Sequence, residues 1–240
     1  MKIAEEILET IGRARKISVL TGAGVSAESG VPTFRGGGSS AVWKGMPFDQ
    51  ISSARMIREN LREVWAWFDY RRGVLQNCRP NAAHDALAEW QNRFDELTLV
   101  TQNVDGLHSR AGSRAVLELH GSINRARCTG CEKTFDLDPN MVPHEPDLCD
   151  TCGASLRPDV VLFGEMLPTE IYGKAAEKAA ACDLFLIVGT SALVYPAAGL
   201  AEIAARAGAA LIEINPEETP LSGRCHFTLR GKAGEILPDL

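Results

Sequence analysis

Apolar residues along this chain fall into two patterns. One is helical: Ile3, Ile7, Leu8 and Ile11 recur at spacings that place them on one face of a helix over residues 3–14. The other is short and continuous. Runs at 17–21, 97–101, 116–119, 184–188 and 211–214 read as strands. None alternates apolar with polar residues, as expected of parallel strands covered on both faces. Helical stretches at 82–93, 168–181 and 197–207 lie between several of them. Strands alternating with helices predict a doubly wound, Rossmann-like parallel α/β sheet.

Two segments break this rhythm. Residues 36–74 begin rich in glycine and continue with a tryptophan-rich helical run, VWAWFDYRR. Residues 124–156 hold two CxxC pairs and no long apolar run. Both read as insertions that together build a smaller helical and zinc-ribbon domain. The segments 1–35, 75–123 and 157–240 then make the larger sheet domain, with a ligand cleft expected between the two.

Composition narrows the function. At 240 residues, 45% hydrophobic and 23% charged, the chain is ordinary globular protein, large enough to bury a core without disulfide staples. A net charge of −6 disfavours a broad basic face for nucleic acid. Glu5, Glu6 and Glu9 interrupt any secretory apolar run, and no window approaches the ~20 apolar residues of a membrane helix. A cytoplasmic protein with neither nucleic acid nor membrane as partner is expected.

Four of the seven cysteines, Cys128, Cys131, Cys149 and Cys152, stand as CxxC, 17 residues, CxxC. That is zinc-ribbon spacing. Four thiolates fill a tetrahedral ion's coordination sphere, so the zinc should be structural rather than catalytic. Of the rest, Cys182 beside a strand reads as a core thiol.

Gly22, Ala23 and Gly24 directly follow the first strand. Such a loop brings backbone amides close to a phosphate, or simply makes a tight turn. About 20 residues later a dehydrogenase would carry a second strand ending in an acid. Here the chain reads GSSAVWKGMP, so a dinucleotide would not bind as it does in a dehydrogenase. His120 follows the run VLEL, at a strand end where ligand groups gather. Its ordinary pKa of about 6.5 suits a general base at neutral pH. His84, behind Asn81 at a helix start, reads as structural, and His108 as a packing residue. Gln102, Asn103 and Asp105 also lie past a strand end, where they either bind ribose and carboxamide groups or form an Asx turn.

The string GAGVSAESGVPTFRG at residues 22–36 closely resembles the signature of the sirtuins, the NAD-dependent protein-lysine deacylases. TQNVDGLH, LELHGS, RPDVVLFGE, VGTSALVYPAA, EINPEET and GKAGEILP follow in family order. The resemblance implies NAD and zinc as cofactors and His120 as catalytic base, acting on a ribose hydroxyl after nicotinamide leaves. It assigns Gly22, Ala23, Gly24 and Ser26 to the cofactor loop, and Phe34 and Arg35 to the loop over the cofactor. Asn103 and Asp105 fall to the nicotinamide ribose and carboxamide, with Gln102 beside them as a further cofactor-binding residue. Gly189, Thr190, Ser191 and Asn215 fall to phosphate and adenosine ribose, and Ala233 lies near adenine. Val161, Phe163, Gly164, Glu165 and Val194 would flank an extended acyl-lysine peptide, paired through its main chain.

WFDYRR, residues 67–72, resembles the segment where bacterial sirtuins of the desuccinylase/deacetylase type carry a Tyr and an Arg three residues apart. Arg71 matches the arginine, while Phe68 stands at the tyrosine position and Tyr70 falls on a different helical face. Acetyl removal, with succinyl or malonyl removal through Arg71, is the implied activity; a solvated face bearing Arg71 and Arg72 is the plainer reading. Two rival functions share the cofactor: an ADP-ribosyltransferase, and a catalytically silent NAD- or ADP-ribose-binding module.

Overall fold

The computed structural model describes residues 3–32, 42–138 and 148–240. The chain opens with helix α1 (Glu5–Arg13), strand β1 (Lys16–Thr21) and short helix α2 (Ala23–Ala27). It leaves the sheet through hairpin β2 (Val42–Trp43) and β3 (Met46–Pro47), then helices α3 (Phe48–Ile51), α4 (Ala54–Glu59) and α5 (Leu61–Gln76). Helix α6 (Ala82–Arg93) returns it to β4 (Glu96–Thr101), α7 (Leu107–Arg110) and β5 (Leu117–Glu118). Strands β6 (Gly121–Cys128), β7 (Thr134–Asp136) and β8 (Leu156–Val160) follow. Helix α8 (Thr169–Ala181), β9 (Leu184–Val188), α9 (Gly199–Arg206), β10 (Ala210–Ile214), β11 (Phe227–Leu229) and α10 (Ala233–Ile236) complete it.

The main sheet runs β11-β10-β9-β1-β4-β5, and every pair in it is parallel. From β1 the chain builds outward through β4 and β5, then reverses and builds β9, β10 and β11 on the other side. The reversal falls between β1 and β9, the position at which open α/β sheets form their ligand crevice.

The strands lack alternation because both faces are covered. Val19, Leu99, Leu186 and Ile212 pack with Ile7 and Ile11 of α1 and Leu87 and Trp90 of α6. Leu20, Val100, Phe185, Ile187 and Leu211 face α8 and α9 through Ala179, Leu200 and Ala204. Each large aliphatic side chain buried this way contributes about 1.5–3 kcal/mol. Leu8 departs from the expected helical face: it is 41% exposed, because the sheet contact of α1 is the narrow line of Ile7 and Ile11. Strand β11 was not foreseen. It is an edge strand with only Leu229 buried, so its composition reads as loop.

The antiparallel sheet, in order β7-β6-β8, reaches beyond residues 124–156 at both ends. Helix α5, begun by the Asn60 side chain accepting from the Glu63 amide, lies between this sheet and the other helices. Trp65 joins Cys128, Cys149 and Leu156 in one apolar cluster and donates from Nε1 to the Leu156 carbonyl at 3.0 Å. Val64, Trp67, Phe68 and Leu75 enter another with Ile51 and Ile123. Arg72 is buried, paired with Asp69 at 3.1 Å, and donates to the Asp138 carbonyl at 2.7 Å. A solvated face is therefore excluded for Arg72. Among the described residues no helix is long and apolar enough to cross a membrane.

Candidate active site at the strand ends

Two glycine-bearing loops meet where the sheet reverses. The Gly22 and Gly24 amides donate to the carbonyls of Val188 and Gly189, at 3.1 and 2.8 Å. A Cβ on Gly24 would stand 2.7 Å from the Gly189 oxygen, and one on Gly22 2.7 Å from the Thr190 Cβ. Glycine is thus required here by loop-to-loop contact. Both amides are engaged by the protein itself, so of the two readings of this loop the tight turn describes them, and neither amide is open to an anion. Ala23, half-buried, lies between them at the start of α2.

The turn after β4 is built against the first of these loops. Asn103 Nδ2 donates to the Gly22 carbonyl at 3.0 Å and to Ser26 Oγ at 3.1 Å. Ser26, buried on α2, donates to Asp105 Oδ2 at 2.8 Å, and Asp105 Oδ1 accepts from the Leu107 amide at 2.9 Å. That last bond is an Asx turn, so Asp105 both caps the chain and lines the cleft. Gln102 Nε2 donates to Thr190 Oγ1 at 2.9 Å and ties the two strand-end loops together.

Beneath this turn the rings of His84 and His108 lie 4.8 Å apart. His84 Nδ1 accepts from the Asn81 amide in a capping box, which leaves Nε2–H toward Ser26 Oγ at 3.4 Å. Thr21 donates to Thr101 Oγ1, so His108 Nε2, 3.0 Å from the Thr21 oxygen, must donate to it. Burial holds both rings neutral and pulls His108 down to about 3. The sequence offered a signal for this network: β1 and β4 both close on a threonine, Thr21 and Thr101.

His120 follows β5, half-buried, with Nδ1 2.9 Å from the Gln102 carbonyl oxygen. A carbonyl only accepts, so Nδ1 carries the proton and Nε2 the lone pair. Burial lowers the His120 pKa below the ordinary range, and the bond to Gln102 offsets this only in part. The ring is a neutral base at pH 7.

A shallow cleft is lined by Ala23, Val31, Arg71, Leu75, Asn103 and Asp105 among others. Arg71 lies over the Trp67 ring at 5.5 Å. Burial lowers its pKa while the Asp105 carboxylate works the other way. Phe68 sits one turn earlier, in the apolar cluster. Tyr70 is exposed and packs on Trp43 and Trp67, on another face as its spacing predicted.

The remaining candidates flank these loops. The Val161 amide donates to the His120 carbonyl, and the Phe163 amide and carbonyl pair with the backbone of Ser52 and Ala54. The Phe163 backbone is therefore engaged by the protein itself, contrary to its expected pairing with a peptide. The Glu165 carboxylate is turned inward, bound by Arg157 and the Leu162 amide. Gly164 is exposed with φ +84°, and Val194 is half-buried. Gly189 and Thr190 are buried and Ser191 half-buried, while Asn215 Nδ2 donates to the Glu217 carbonyl at 3.1 Å. Ala233 opens α10, whose Gly234 amide donates to Glu28. Phe34 and Arg35 lie outside the described residues.

The four cysteine sulfurs converge within 4.8 Å of one another. Zn–S bonds of about 2.3 Å in a tetrahedron place sulfurs roughly 3.8 Å apart, so this donor set fits zinc. The Cys131 and Gly130 amides donate to Cys128 Sγ at 3.4 and 3.3 Å and pull its pKa down to about 6. A Cβ on Gly130 would press to 3.3 Å from Cys152 Sγ.

A crevice at the reversal of a doubly wound sheet, with a neutral imidazole at one strand end, defines an α/β enzyme of the nucleotide-dependent class. The Sir2 family profile matches residues 22–196, and the chain belongs to the Sir2 family. It is 44% identical over 238 residues to the NAD-dependent protein deacylase 1 of Archaeoglobus fulgidus, covering 98% of this chain and 96% of that one. A solved Sir2 homolog–NAD complex is 42% identical with a TM-score of 0.92, over 99% of this chain and 92% of that one. A Sir2–p53 peptide–NAD+ structure is 31% identical with a TM-score of 0.86, over 100% and 97%.

Proposed function

We propose that this protein is an NAD-dependent protein-lysine deacylase, acting on acetyl-lysine and, through Arg71, on succinyl- and malonyl-lysine. The observation that carries the reading is the His120–Gln102 bond, which fixes one ring tautomer with its basic nitrogen at the strand end. NAD, when bound, supplies an electrophilic ribose carbon and nicotinamide as leaving group. Asn103 and Asp105 would hold its nicotinamide half, their side chains already oriented by Ser26. Thr190, Ser191 and Asn215 would hold the adenosine half across the Gly24–Gly189 contact. His120 accepts a proton at Nε2 and needs no prior deprotonation, because burial keeps it neutral. The four cysteines would hold zinc as a structural cross-link.

The larger sheet domain as nucleotide-binding part, with segments 36–74 and 124–156 as the smaller one, belongs to this proposal. So do a cytoplasmic setting, supported by seven cysteines free of disulfides, and the lack of nucleic acid or membrane partners, supported by the charge of −6. Incubation with NAD and acetyl-lysine peptide tests the reading. Nicotinamide, acyl-ADP-ribose and free lysine should form in equal amounts. Nicotinamide release with ADP-ribose attached to protein would make the chain a transferase of a different kind, and no release would make it a binding module.

A further inference from the structure

The strand β10 carries one residue that the functional reading leaves unused. Glu213 is completely buried in an otherwise apolar strand, ALIEI. A buried carboxylate costs several kcal/mol unless donors surround it. Here three side chains do: the hydroxyls of Thr219 and Ser222, and Arg230 Nη1 at 2.8 Å. Arg230 follows directly on β11 and is one-third exposed. Its Nη2 donates to Ser222 Oγ at 2.9 Å, and its Nη1 reaches the Glu217 carbonyl at 3.0 Å and the Asn215 carbonyl at 3.5 Å. The Thr219 amide closes the set onto Ser222 Oγ at 2.8 Å. One carboxylate and one guanidinium thus fasten the whole loop 215–222 from within.

That loop leaves the end of β10 beside the reversal point, where Asn215 Nδ2 lies 3.5 Å from the Thr190 carbonyl. Buried ion pairs contribute little net stability against apolar replacements, and fixing a geometry is their better-attested use. We infer that Glu213 and Arg230 are positioning residues for the adenosine half of the nucleotide, holding Asn215 in place to meet its ribose. The inference rests on the reading of Asn215 given above. Neither residue touches the reacting atoms. Their loss should weaken nucleotide capture and leave the chemical step and the acyl-peptide site alone.

The test is steady-state kinetics on the full protein together with ADP-ribose titration by calorimetry, for Glu213→Gln, Arg230→Met, Arg230→Lys and Ser222→Ala. Removing a charge-assisted hydrogen bond should raise KM for NAD and the Kd for ADP-ribose by about tenfold. The kcat, the KM for acetyl-lysine peptide and inhibition by nicotinamide should stay within about twofold. Arg230→Lys, which keeps the charge but not the fork, should fall between wild type and Arg230→Met. Should Glu213→Gln fail to fold, the half-buried Ser222→Ala carries the same comparison. Wild type that binds ADP-ribose alongside folded variants that bind it equally well would overturn the clamp alone. A joint loss of kcat and both KM values would reduce the pair to a structural role and overturn it too. Wild type that binds no ADP-ribose would overturn the nucleotide reading, and the clamp with it.

Discussion

His120 Nδ1 stands 2.9 Å from the carbonyl oxygen of Gln102, and this one bond decides which ring nitrogen can act as a base. The backbone oxygen cannot donate, so Nε2 is left with the lone pair. His120→Ala should abolish deacylation while NAD affinity stays within about a few-fold, because the base acts after binding. Product formation above roughly a tenth of the original rate would show that another group is the base.

The acid limb of the rate profile should report the same residue. Protonation removes the Nε2 lone pair, and burial sets the His120 pKa below its ordinary value of about 6.5. The acid limb should therefore reach half of the plateau only below pH 6.5. A kcat/KM profile already halved at or above pH 6.5 would place the controlling group elsewhere.

Stability should decline with acid for a related reason. His108 binds a proton near pH 6.5 when unfolded but only near 3 when folded. Between those values the unfolded chain holds the extra proton, so stability falls as pH falls, by about 1.4 kcal/mol per pH unit for this residue. His84 shifts in the same direction. His108→Gln keeps a donor for Thr21 and cannot titrate, so it should flatten the decline. Urea midpoints at pH 7 and pH 5 check this; an unchanged slope in the variant would remove His108 from the account.

Much of this fold was legible because its strands are buried on both faces. The run at 184–188 reads as strand since Leu184, Leu186 and Val188 meet one helical layer while Phe185 and Ile187 meet the other. Helix α6 was legible as the helical stretch 82–93, and its Asn81 cap is a finding of the structure. What stayed hidden depends on pairs distant in sequence. Nothing near Gly24 announces that Gly189 will press against it, and nothing near Glu213 announces Arg230. Arg72 looked like one of two surface charges until Asp69 and the Asp138 carbonyl enclosed it. His120 could be singled out from its strand-end position, but its tautomer depends on Gln102, in the turn after another strand.

Removing the metal should loosen more than the cysteine knuckles. Trp65 of α5 packs with Cys128 and Cys149, and the same helix carries Arg71 to the cleft. Structural zinc contributes about 10–16 kcal/mol of apparent binding energy in small modules. The purified protein should hold one zinc per chain, and Cys128→Ser or complete chelation should lower both Tm and deacylase activity. Full stability and activity after verified metal removal would exclude a structural zinc.

The last prediction concerns Arg71 and Phe68, one helical turn apart on α5. Arg71 lines the cleft with Asn103 and Asp105, a partly desolvated cation stacked on Trp67. A dicarboxylic acyl group entering there would meet it through a charge-assisted contact, whereas an acetyl group has no use for a cation. Arg71→Met should therefore abolish succinyl-lysine turnover and spare acetyl-lysine turnover. Phe68 offers no donor, being packed with Ile51, Val64 and Trp67. At an i, i+3 spacing its para position shares a face with Arg71, so Phe68→Tyr should place a hydroxyl beside the guanidinium. A hydrogen bond to a charged group is worth about 1.5–3 kcal/mol, or roughly ten- to a hundredfold in succinyl turnover, with acetyl turnover far less affected. Thermal melts separate this gain from a packing effect. A lower Tm with no succinyl gain would mean that the new hydroxyl is trapped in the apolar cluster. Equal losses on both substrates in Arg71→Met would make Arg71 structural and end the acidic-acyl reading.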